Sequence, residues 1–273
     1  MIVERTRVSS AWLDLREPAD AAARDPELVE RLRRHLPSTG CLVIHDLGCG
    51  TGSMGRWLAP LLPGPQHWIL HDRDEDLLDV AAAEPPGPAA DGAPVSVEPR
   101  PSDVTQLRPG DFADASLVTA SALLDLLTRD ELTGLLGVCA SLGCPVLLSL
   151  SVVGRVDLVP ADPLDSRVSA AFDAHQRRMT ERGRLLGPDA AAAAVEGFRQ
   201  RGVEVLVRPT PWRLAADEAD LAAEWFTGWI AAACEQSFDL ASEITSYARR
   251  RQAEARTGEL AVNVGHADLL VLP

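Results

Sequence analysis

Lysine is missing from the 273-residue chain: all 26 of its basic residues are arginine. That excludes chemistry requiring an amine side chain, such as the lysine of a phosphate-loop ATPase, a pyridoxal Schiff base or the Tyr-Lys pair of a dehydrogenase. Tyrosine occurs once, as Tyr247. Positive charge is scarce against 40 acidic residues, and the net charge of −14 argues against nucleic-acid binding, which draws its affinity from clustered cations on phosphate. Long apolar runs are also wanting: the longest, residues 146–153 and 190–195, fall well short of the roughly 20 residues that span a bilayer. The start of the chain has no basic-then-apolar signal, so a cytoplasmic protein without membrane contact is expected. The five cysteines form no Cys-x-x-Cys pair and read as reduced, mostly buried thiols, with no metal site.

What is present is a chain 46% hydrophobic, enough for a sizeable core. Asp25 and Pro26 suit the cap and first position of a helix over 25–36. Strands are expected at 41–44, 68–70, 95–97, 117–120 and 145–151, with helices at 53–62, 74–83 and 129–142 between them. That cadence means an α/β fold, a doubly wound, mostly parallel sheet covered on both faces. Beyond 151 the rhythm changes: helices are expected at 170–179 and 188–201, a strand at 203–207, one or two helices over 215–255, and a closing strand at 267–272. The division expected is an N-terminal helical segment (1–40), a ligand-binding core (41–153) and a remainder of the same domain (154–273) bearing helical insertions.

The informative stretch is Asp46-Leu47-Gly48-Cys49-Gly50-Thr51-Gly52, where a strand ending in an acid turns through three alternating glycines into a helix. Glycine is needed where backbone approaches a ligand with no Cβ in the way. Twenty residues beyond Gly52, Asp72 ends the next strand, where a carboxylate can reach a ribose diol, and Arg73 follows it. Residues 50–55 also satisfy the dinucleotide pattern Gly-x-Gly-x-x-Gly, so a nicotinamide-dependent oxidoreductase is an alternative. Asp46 separates the two: a pyrophosphate disfavours a nearby carboxylate, whereas a cationic amino-acid tail accepts one.

Asp46 to Gly52 resembles motif I of the class I S-adenosylmethionine-dependent methyltransferases, and Asp72 matches the acid of their second motif. The resemblance runs through roughly the first 150 residues and resumes at the last strand. It implies a Rossmann-like, seven-stranded sheet whose last strand is antiparallel, with 203–207 and 267–272 as strands six and seven. It further implies that the glycine loop holds the methionine moiety, that Asp72 binds the ribose, and that Asp103 with Val104 meets the adenine. Ser121, in a segment resembling the fourth motif of small-molecule members, would border the sulfonium, and Arg24 would hold the cofactor carboxylate. The strand-four segment lacks the Asn/Asp-Pro-Pro-Tyr/Phe pattern of relatives that methylate DNA or protein amide nitrogens, so a small-molecule acceptor is expected. A cofactor-binding protein without transfer activity would carry the same residues.

A general base is needed only for a hydroxyl or ammonium acceptor. His175 is the first candidate, the alternative being a surface histidine. His266 either reaches the active edge of the sheet or caps a hairpin. Arg155, Arg167, Arg177 and Arg178 form either a fork for an anionic acceptor or a solvated face, and Trp212, Trp225 and Trp229 either wall a pocket or fill the core. The helical stretch 215–255 is expected to serve as a lid, a substrate cap or the surface of a homodimer.

Overall fold

The computed structural model describes residues 8–273, leaving aside the side chains of residues 241 and 242; residues 1–7 of the expected N-terminal segment lie outside the described residues. The chain opens with a helix that propensity does not suggest, α1 (Ser10–Ala23), which carries Pro18 within it. Ser9 caps it by accepting from the Trp12 backbone N–H at 3.2 Å. Asp25 caps α2 (Pro26–Arg33), accepting from Glu27 N–H at 2.7 Å and Leu28 N–H at 3.2 Å, and the helix ends three residues earlier than expected. Then come β1 (Leu42–Leu47), α3 (Ser53–Leu58), β2 (Gln66–Asp72), α4 (Glu75–Ala83), β3 (Val95–Pro101), β4 (Leu117–Ser121), α5 (Arg129–Ser141) and β5 (Val146–Val159). A reciprocal cap between Thr128 and Glu131 starts α5.

The remainder holds α6 (Asp165–Gln176), a small hairpin of β6 (Met179–Thr180) and β7 (Gly183–Arg184), α7 (Ala190–Gln200), β8 (Glu204–Pro209) and β9 (Trp212–Leu214). It closes with α8 (Ala219–Gln236), α9 (Phe238–Glu243), α10 (Thr245–Arg256) and β10 (Ala261–Leu272). The expected one or two helices over 215–255 are therefore three, because the chain turns extended at Ser237 (φ −130°) and breaks again at Ile244. Among the described residues no helix is long and apolar enough to cross a membrane.

The sheet runs β3-β2-β1-β4-β5-β10-β8, the first five strands parallel and β10 antiparallel to both its neighbours. β9 shares the outer edge of β10 with β8, so the expected seven strands become eight. One apolar core lies between the sheet and α5 with α7, and a second between the sheet and α2, α3 and α4. β5 and β10 are longer than the sequence suggests, since beyond Ser151 the burial of β5 alternates and the continuous buried run that signals a strand ends. This overhang, with β9, carries a third core in which Trp229, Phe226 and Tyr247 of α8 and α10 are buried with Val168 of α6.

Two irregularities shape the overhang. Ser149 and Leu150 of β5 together face Asp268, with Leu150 in the left-handed region (φ 54°), and residues 153–155 face Gly265, with Gly154 at φ 69°. Such bulges bend a strand and re-aim its side chains, and here they bring Leu150 and Val152 to the wall of a cavity.

Candidate functional site

That cavity, about 850 Å³, opens at the carboxyl ends of β1, β2 and β4, beneath α1 and the overhang. Its inner half is the glycine loop. Gly48, Gly50 and Gly52 have φ of 63°, 54° and 88°, which a side chain would strain. A Cβ on Gly50 would also stand 3.0 Å from Leu13 of α1, and one on Gly48 3.0 Å from Leu123. Asp72 braces the loop: its Oδ2 accepts from Gly50 N–H at 2.9 Å and its Oδ1 from Asp74 N–H at 3.0 Å. Each oxygen keeps a lone pair for a ligand hydroxyl. Arg56 donates to Thr51 O and pairs with Glu17, tying α1 to the loop. Arg73, Ser102, Asp103 and Val104 line the same end, Asp103 also accepting from Thr105 N–H and Oγ1 at 2.9 and 2.7 Å.

Asp46 is buried in the cavity floor. Its Oδ1 accepts from Thr119 Oγ1 at 2.8 Å, and its Oδ2 has no partner. Burial pushes this carboxyl up to about 7, against the pull of the Thr119 hydroxyl and Arg24. Arg24, at the end of α1, is buried behind the wall: Nη2 donates to Ser121 Oγ at 3.1 Å and Ser53 Oγ at 3.5 Å, while Nε and Nη1 have no partner. A guanidinium and a carboxylate, both buried and both incompletely bonded, therefore lie near the loop, the carboxylate in the cavity floor and the guanidinium behind the wall. Unpaired buried polar groups of this kind cost stability and point to a ligand that completes them.

The outer half is walled by Trp12, Phe172, Trp212 and Trp225, with Arg16, Asp20, Asp125 and His266 among them. Arg16 grips Asp20 through Nε and Nη2 at 2.9 and 3.1 Å, its guanidinium 4.8 Å from the Trp212 ring centre, and Trp212 Nε1 donates to Asp20 Oδ1 at 2.9 Å. His266 is buried with Nδ1 unpartnered, and burial lowers its pKa to about 3, so the ring stays neutral. His266 lines the cavity, and its backbone carbonyl accepts from Thr210 N–H at 2.9 Å in the turn after β8.

The structure brings together Asp46, Gly48, Gly50, Asp72, Arg73, Asp103, Val104 and Ser121 on one wall, with Gly52 at the turn of the loop. It does not bring His175 there. On α6, Phe172 and Gln176 face the cavity, while His175 Nε2 lies 3.1 Å from Glu235 Oε2 of α8. Position 175 is about 100° around the helix from 176. Nor do the four arginines form a fork: Arg155 pairs with Asp157, Arg167 with Glu243 and Arg177 with Asp189, while Arg178 donates to the His175 carbonyl. Trp212 and Trp225 wall the cavity, whereas Trp229 belongs to the core. Apart from Arg24 at its end, sequence reasoning misses what α1 contributes. A Ser9 cap followed by Trp12 and Leu13 is the available signal, and Pro18 obscures it.

Behind the ribose end lies a buried chain of imidazoles. His45 Nδ1 is 3.0 Å from His71 Nε2, and His71 Nδ1 is 2.9 Å from Ser102 Oγ, which donates to Arg100 O at 3.0 Å. One tautomer set makes all three contacts, each Nδ1–H donating onward, and leaves His45 Nε2 without a partner. Burial lowers both histidines to about 4, so the folded state binds fewer protons than the unfolded chain, in which histidine titrates near 6.5. Their contribution to stability is full above about 6.5 and is lost as pH falls toward 4. Urea unfolding across this range should show His45→Gln with a slope shallower than wild type by up to about 1.4 kcal/mol per pH unit; superimposable slopes would refute the assignment.

No family model matches the chain, and no curated protein does. Solved structures do. A cyclopropane-fatty-acyl-phospholipid synthase-like protein from Lactobacillus casei superposes with a TM-score of 0.53 at 15% identity, covering 98% of this chain and 94% of its own. A cyclopropane synthase from Mycobacterium tuberculosis gives 0.51 at 13%, covering 97% and 94%. The phosphoethanolamine N-methyltransferase 2 of Haemonchus contortus, solved with phosphomonomethylethanolamine and S-adenosylhomocysteine, gives 0.50 at 14%, covering 99% of this chain and 58% of that one. With the strand order and the antiparallel β10, these likenesses identify the architecture as the Rossmann-like methyltransferase fold.

Proposed function

We propose that the chain is an S-adenosylmethionine-dependent methyltransferase acting on a small-molecule acceptor. The observation that carries the proposal is a pair of buried, incompletely bonded groups near the glycine loop, Asp46 Oδ2 in the cavity floor and Arg24 Nε and Nη1 behind the wall at Ser53 and Ser121. A zwitterionic amino-acid tail has the ammonium and carboxylate that would satisfy them. Asp72 would take the ribose hydroxyls, and Asp103 with Val104 the adenine. The cofactor, when bound, supplies an activated methyl group on sulfur. The chain's own work is then to bind, to align and to exclude water: Ser121 and Leu123 border the transfer point, and α1 covers it. The half-enclosed outer compartment and the acidic surface favour a small acceptor over a nucleic acid. A dinucleotide fits less well, since Asp46 would oppose its pyrophosphate.

Calorimetric titration with S-adenosylmethionine, S-adenosylhomocysteine and NAD(H) tests the proposal: micromolar binding of the first two and none of the dinucleotide is expected, and the reverse would overturn it. In the same assay Asp72→Ala should weaken the cofactor by about 2–3 kcal/mol through loss of charge-assisted bonds. Unchanged affinity would remove the ribose assignment.

A further inference from the structure

The outer compartment contains a carboxylate that none of the other described residues partners. Asp125 lines the cavity half-buried, and no other described residue donates a hydrogen bond to its side chain. Its position follows from β4: Ala122 turns into the left-handed region (φ 50°), Leu123 packs on Gly48, and the short turn Leu124–Leu126 sets Asp125 just outside the glycine loop.

The charges around it are already committed. Arg16 approaches from α1 but is held by Asp20 in two hydrogen bonds. Arg182, from the β6–β7 turn, pairs with Glu131 and donates to Leu126 O at 3.2 Å. Arg178 approaches from the end of α6 and donates to His175 O. Gln176 of α6 is uncharged, and His266 of β10 is neutral. Among the described residues, an anionic acceptor therefore meets on this wall only cations already hydrogen-bonded within the protein, whereas a cationic one meets an unbonded carboxylate and the rings of Trp12, Trp225 and Trp212, the last also carrying the Arg16 guanidinium. Aromatic faces and a carboxylate are the surroundings in which a desolvated ammonium is stabilised.

We propose that Asp125 binds and deprotonates an amine acceptor whose aromatic or apolar body lies against Trp12, Trp212 and Trp225. This rests on the methyl-transfer reading above. One proton passes from the ammonium nitrogen to the Asp125 carboxylate, and the freed electron pair forms the new N–C bond as the donor's C–S bond breaks and its pair stays on sulfur. The methylated nitrogen carries the positive charge. Poor contact with water raises the Asp125 carboxyl to about 6, so it is ionised at neutral pH yet still a usable base, whereas His266 is too weak a base to compete.

The test is equilibrium binding of tryptamine, its alcohol analogue tryptophol and indole-3-acetate to the protein saturated with S-adenosylhomocysteine, at pH 7.5 (about 1.5 units above the Asp125 titration). Tryptamine is expected to bind at least about tenfold more tightly than tryptophol, as one charge-assisted contact requires. Asp125→Asn should erase that preference and leave S-adenosylhomocysteine affinity unchanged, while Asp125→Glu should keep it. Equal binding of amine and alcohol, tighter binding of the acid, a preference that survives Asp125→Asn, or no binding of any of the three would each overturn the proposal. Failure of the wild-type protein to bind S-adenosylhomocysteine would instead bring down the underlying reading.

Discussion

Asp46→Asn is expected to make the ligand-free protein more stable and to strip it of cofactor affinity. The folded carboxyl titrates near 7 because it is buried, against about 4 in the unfolded chain. Between those values the folded state binds more protons, so stability is present at low pH and is lost as pH rises through the window to about 7. At pH 8 the wild-type protein therefore holds an ionised, half-bonded carboxylate that asparagine would not. The variant should unfold at higher urea, by about 1–3 kcal/mol at pH 8, with the advantage gone near pH 5. S-Adenosylhomocysteine affinity should fall by about 2–3 kcal/mol, or some 30- to 150-fold, since the ligand ammonium loses its ion partner. Wild-type affinity should rise with pH toward 8, with protons released on binding below 7. A variant that is less stable at pH 8, or that binds as before, would show that Asp46 serves the fold alone.

The second large effect concerns Asp268. This buried side chain of β10 accepts from Leu150 N–H at 2.7 Å, Thr210 Oγ1 at 3.0 Å and Asp25 N–H at 3.2 Å. It thereby closes the β5 bulge, the turn after β8 and the start of α2 together. Asp268→Ala leaves a buried N–H of a left-handed leucine with no acceptor and removes a counter-charge from Arg24. A loss of about 3–5 kcal/mol is expected, with Asp268→Asn, which keeps one oxygen, losing roughly half as much. Urea unfolding at pH 7 measures both; a loss under about 1 kcal/mol would mean that the bulge holds without the carboxylate.

The cofactor half of the cavity is legible in the sequence because its requirements are local. Alternating glycines need left-handed backbone, and an acid at the end of the next strand lies at a set distance along the chain. The acceptor half is not, because its parts meet only through the fold. Nothing in the sequence singles out Asp125, Arg16 or Asp20, and Trp212 stays open between wall and core until α1 is laid across the sheet. The bulge at Leu150 is equally hidden, since the Asp268 carboxylate that holds it is more than a hundred residues away in sequence. His175 shows the converse: a residue type suited to the chemistry, on the right helix, turned to the wrong side of it.

The place of β10 in the sheet has a consequence for biogenesis. β5, β8 and β9 each hydrogen-bond to β10, and none of the three pairs with another of them. In the first 260 residues alone, the five parallel strands would have an open edge at β5, and β8 and β9 would have nothing to join. The last strand is the keystone, and until it clears the exit tunnel the nascent chain presents an apolar edge of the kind that chaperones engage.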